Sequence, residues 1–103
     1  MVDWSQVITL DALNAAGGFP VAHAEAAEAV DLEDRPCLHV TVVFGRGVGH
    51  SDLVWEQIEP IRDRVDSLVN AADPALYPYM TWLTYGDWRR RQPRPRRRER
   101  MAA

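Results

Sequence analysis

The chain has 103 residues, 47% of them hydrophobic, with four tryptophans, one cysteine and a net charge of −3 at neutral pH. That length holds one domain with a small core, the lone Cys37 excludes an internal disulfide, and no apolar run approaches the roughly 20 residues of a membrane span. The opening Met-Val-Asp-Trp-Ser-Gln lacks the basic and apolar regions of a secretory leader, so a cytoplasmic protein is expected.

The first predicted element is a helix over 4–16. Asp3 is a good N-cap, Gln6 completes a capping box, and Gly17-Gly18 supplies the stop. Residues 21–30 fit two patterns. Their alanines favour a helix by propensity, whereas the turn Asp31-Leu32-Glu33-Asp34-Arg35-Pro36 favours a hairpin with the segment that follows. Both readings stay open at this level.

Residues 37–44, Cys-Leu-His-Val-Thr-Val-Val-Phe, are β-branched and bounded by Pro36 and Gly45, which predicts a strand. Leu38, Val40, Val42 and Phe44 share one face; Cys37, His39, Thr41 and Val43 share the other. A helix from Ser51 to about Ala72 follows, with Val54, Ile58, Ile61, Val65, Leu68 and Ala72 forming an apolar stripe. Pro60 lies inside it and predicts a kink or two abutting helices. Residues 77–85 read as a second strand, with Tyr77, Tyr79, Leu83 and Tyr85 on one face and Met80 and Trp82 on the other. Trp82 is expected in the core. The tyrosine face, with Trp88, is expected to be a contact surface, because Tyr and Trp are enriched at interface anchors.

Charge divides the chain more sharply than its hydrophobic pattern does. Residues 1–88 carry four arginines against fourteen acidic residues, a balance of −10, and residues 89–103 carry eight arginines against Glu99, a balance of +7. The expected organisation is an acidic domain, 1–88, and an arginine-rich arm, 89–103, disordered or extended. Arg89, Arg90, Arg91, Arg94, Arg96, Arg97, Arg98 and Arg100 form the candidate polyanion contact. Guanidinium groups on such an arm suit phosphate backbones without base reading. An acidic protein surface is the competing partner, including a neighbouring copy of the body.

Two smaller constellations hold residue types capable of binding or chemistry. Gly45, Arg46, Gly47 and Gly49 sit between a strand and a helix and form a possible anion loop, although the G-x-G-x-G spacing matches neither nucleotide-binding fingerprint. Cys37, His39, His50 and Asp52, with His23, lack paired metal-ligand spacing and an identifiable oxyanion donor. No catalytic residue, metal or cofactor is expected.

The fold class is α+β: a small mixed or antiparallel sheet packed against an N-terminal helix and one long amphipathic helix, ahead of the basic arm. Cys37 to Trp88 resembles the small α+β tail-terminator and head–tail completion proteins of tailed phages. The resemblance rests on Leu38 to Phe44, the helix from Ser51 to Ala72, and Tyr77 to Tyr85. It implies a ring-forming structural subunit of a phage-like particle located in the virion. The expected function is non-enzymatic binding or assembly, by a homo-oligomer whose arm contacts nucleic acid or another polyanion; the phage-like subunit is the alternative.

Overall fold

A computed structural model describes residues 2–92 and confirms the α+β class. In chain order the elements are α1 (Trp4–Val7), α2 (Leu10–Asn14), β1 (Val21–Val30), β2 (Pro36–Phe44), a 3-10 turn (His50–Asp52), α3 (Trp55–Ala72), β3 (Pro78–Leu83) and α4 (Tyr85–Arg91). The sheet is mixed, in the order β1-β2-β3: β1 and β2 are antiparallel, β2 and β3 parallel.

The N-terminal helix expected over 4–16 is two short helices. Asp3 caps the first as predicted, its carboxylate accepting the Ser5 N–H. Ile8 then leaves helical geometry and enters the core, and Thr9 caps α2 by accepting the Ala12 N–H. A second local cap thus outcompetes continuation of the first helix.

Residues 21–30 are a strand. Asp31 organises the hairpin turn: its carboxylate accepts the N–H groups of Glu33 and Arg35, and Asp34 takes φ 60. The register runs from Val30 opposite Pro36 to Val21 opposite Phe44, with a bulge between Val21 and His23. Alanine's helix propensity amounts to only tenths of a kcal/mol per residue, so a full cross-strand ladder overrides it.

Leu38, Val40, Val42 and Phe44 are fully buried on one face of β2, against Ile61, Val65 and Val69 of α3. Phe44 stacks parallel to Trp82 at 5.9 Å, and Phe19 meets Phe44 edge-on at 5.5 Å. Met80 and Trp82 pack against this core, as expected for their face.

The long helix begins at Trp55 rather than Ser51, with Val54 as its N-cap, because the 3-10 turn absorbs Ser51. Its buried line is Ile61, Val65 and Val69, flanked by Ile58 and Leu68; Val54 and Ala72 are exposed. It runs through Pro60 as one element. An interior proline costs about 3 kcal/mol, whereas burying three branched side chains contributes about 1.5–3 kcal/mol each, enough to carry the helix through. Gly18 lies tight against α3, where a side chain would meet the Gln57 carbonyl.

Candidate functional site

The predicted strand 77–85 stops at Leu83, and the chain turns into α4. Thr84 is the N-cap, accepting the Asp87 N–H, and Arg89, Arg90 and Arg91 fill the last turn, where positive charge is favourable. Arg89 to Arg91 are therefore helical and belong to the body, which runs to at least Gln92. The boundary expected after Trp88 falls inside this helix. Arg94, Arg96, Arg97, Arg98 and Arg100 lie outside the described residues.

Trp88 fixes α4 over one end of the sheet. Its ring lies 4.9 Å from His23, which pairs with Val43, and 5.5 Å from Tyr85. The indole N–H of Trp88 is buried with no acceptor among the described residues.

The glycine loop joins α4 at this end. Arg46 donates to the Tyr85 hydroxyl at 3.1 Å, and its guanidinium lies 4.8 Å above the Tyr85 ring. Hydrogen bonds from Arg46 and Arg89 hold the Tyr85 hydroxyl below its usual pKa. His50 contacts the Asp87 carboxylate at 2.7 Å, and Arg90 pairs with the same group. Two stretches far apart in the sequence thus converge on one basic surface. Arg46 and Arg89 lie at Tyr85, His50 and Arg90 lie at Asp87, and Arg91 follows in the last turn of α4.

The loop's backbone does not form the anion cradle that Gly45, Gly47 and Gly49 suggest. The Gly45 N–H goes to Pro20, the Val48 N–H to Gly45, and the Gly49 N–H to the Asp52 carboxylate at 2.9 Å. Asp52 holds the place an anion would take. The contribution of this loop to the surface is the Arg46 side chain.

The four expected interface aromatics divide into two pairs. Tyr85 and Trp88 form the base of the basic surface. Tyr79, at 58% exposure, and Tyr77 line an open groove of about 600 Å³ with Ala29, Leu32, Cys37 and His39. Tyr77 donates to Asp31 at 2.5 Å, tying the hairpin turn to the start of β3. That contact holds Asp31 down at about 2 and pushes Tyr77 up to about 12.

Cys37 and His39 share the open sheet face, as expected. Cys37 is buried, and His39 bonds to Thr81 at 2.8 Å. His50 is committed to Asp87 at the α4 end and Asp52 to its own loop, so the four residues do not converge. Among the described residues no group of His, Cys, Asp or Glu is placed to hold a metal ion. Among the same residues no helix is long and apolar enough to cross a membrane.

No family model, no curated protein and no solved structure matches the chain.

Proposed function

We propose that the protein is a non-enzymatic polyanion-binding protein that contacts nucleic acid through the α4 surface and the arginine-rich segment after it. The observation that carries this reading is the contact of Arg46 with Tyr85 at the start of α4, the helix whose last turn holds Arg89, Arg90 and Arg91. It places a cation from the middle of the chain beside α4, whose last turn leads into Arg94, Arg96, Arg97, Arg98 and Arg100. Binding is to the phosphate backbone and has no sequence preference, because the arginine run carries no interleaved aromatic to stack on bases. The acidic body keeps nucleic acid away from its other faces.

Anisotropy of a labelled random-sequence DNA or RNA tests the patch. Replacing Arg46 and Arg91 with alanine in the full chain weakens binding of every sequence alike. It also lowers the salt slope by about 0.9 for each phosphate of duplex DNA that is no longer neutralised. Unchanged affinity and slope would remove the body from the binding surface. The arm alone would then carry the contact, whereas no binding by the full chain at low salt would leave the arm to protein assembly, packing on an acidic neighbour as the phage-subunit resemblance implies.

A further inference from the structure

The sheet has two outer edges, and they differ. Leu38 donates its N–H to the Tyr77 carbonyl, so in β3 the backbone N–H and C=O groups of the odd-numbered residues point to β2 and those of Met80 and Trp82, with the Pro78 carbonyl, point away from it. That edge is short and begins with a proline, which has no N–H to offer.

On the other side, Asp31 donates its N–H to the Arg35 carbonyl. Continuing that antiparallel ladder, residues 25, 27 and 29 bond to β2, while the N–H and C=O groups of Ala24, Ala26, Glu28 and Val30 point away from it. Asn14 seals the beginning of the edge by bonding both the N–H and the C=O of Val21. Beyond the bulge at Val21/His23, nothing comparable among the described residues protects its backbone; the Trp4 indole N–H bonds only the Glu28 carboxylate. Residues 23–30 contain no proline and no lysine, and among the described residues no side chain bonds to the backbone of residues 24–30. A long edge with four alanines among residues 23–30, its backbone unbonded by side chains among the described residues, is a template for strand pairing.

We infer that this edge pairs antiparallel with the same edge of a second copy, in the register centred on Ala27, joining two three-stranded sheets into one continuous sheet. The strand is its own complement in this register. Ala24 meets Val30, Ala26 meets Glu28 and Ala27 meets Ala27, so every outward N–H and C=O of the four edge residues is paired. Glu25 faces Ala29, and His23 falls opposite Asp31 of the other copy. Centring on residue 25 or 28 instead sets a glutamate against itself, which is unfavourable between directly opposed strands. Small side chains along the seam let the backbones approach without a clash. Pairing along this edge depends on strand geometry alone and stands whether or not the basic surface binds nucleic acid.

Sedimentation equilibrium of the full chain over the micromolar range tests it. The expected result is a monomer–dimer equilibrium. Ala26→Pro deletes an outward N–H without touching the β1–β2 ladder, and raises the dissociation constant at least about tenfold. Ala27→Glu and Ala27→Arg, each with the wild-type circular dichroism, both weaken the dimer, because each places like charges together on the two-fold axis. Mixing the two restores association as a heterodimer. A chain that stays monomeric overturns the inference. A dimer unaffected by these substitutions, or a mixture that does not recover association, equally overturns it.

Discussion

Gly18→Ala probes how closely the loop after α2 is held against α3. A Cβ at position 18 would stand 2.1 Å from the Gln57 carbonyl oxygen and 3.1 and 3.2 Å from two Ile61 side-chain atoms. The carbonyl belongs to helical backbone and cannot swing aside as a side-chain tip could, so the loop must lift off α3. Lifting it draws Phe19 away from Phe44 and loosens the seal on the core. Overpacking of this kind costs about 1–3 kcal/mol. A domain this size loses about 4–8 °C per kcal/mol, so the melting temperature should fall by roughly 5–20 °C. Two other glycines calibrate the effect. Gly17 has φ 89 with open space around it, so alanine there costs about 1 kcal/mol through backbone strain alone. Gly47 has neither a positive φ nor a neighbour within 4 Å, and alanine there is neutral or stabilises by about 0.4–1 kcal/mol. Thermal melts followed by circular dichroism read all three. A Gly18→Ala protein melting within a degree or two of wild type, or a Gly47→Ala protein falling equally far, would refute the packing argument.

Two further predictions concern side-chain contacts that hold the fold together. Asp31 is held at about 2, below its ordinary 3.8, so its contribution to stability is fully present above pH 4 and is lost as pH falls through about 2. Urea melts between pH 5 and 2 should show a shallower acid limb for Asp31→Asn and for Tyr77→Phe than for wild type. Trp88→Ala removes the packing on His23 and Tyr85 and should destabilise by roughly 1–2 kcal/mol, less than a fully buried tryptophan would. Trp88→Phe should cost under about 1 kcal/mol, because it also removes a buried N–H that has no acceptor among the described residues. A larger loss in Trp88→Phe would point to an acceptor for that N–H.

The parts of the fold legible in the sequence are those set by short-range periodicity. Alternation along Leu38 to Phe44 identifies both the strand and its buried face, and the stripe on α3 identifies most of its inner side. Val69 escapes that stripe because the buried line keeps a four-residue step where the apolar pattern shortens to three. The two readings of Val21 to Val30 cannot be separated locally, since the choice depends on a partner strand beyond the Asp31 turn. α4 carries a local signal, Thr84 followed three residues later by Asp87, but the aromatic run before it reads as strand up to Tyr85. The basic surface is the least legible feature. Arg46 and Tyr85 are 39 residues apart, and nothing in either neighbourhood announces the other. The glycine loop misleads in the opposite direction, because Asp52 consumes the Gly49 N–H an anion would need.

Polyanion binding is tested most directly by the salt dependence of random-sequence duplex DNA binding by the full chain and by a chain ending at Gln92. The shorter chain keeps α4 whole and removes Arg94, Arg96, Arg97, Arg98 and Arg100. The expected slope for the full chain is equivalent to several phosphates, at about 0.9 per phosphate neutralised. The shorter chain should retain a weaker, shallower response from Arg46 and the α4 arginines. No binding by either chain at low salt would contradict the claim, as would equal slopes for both.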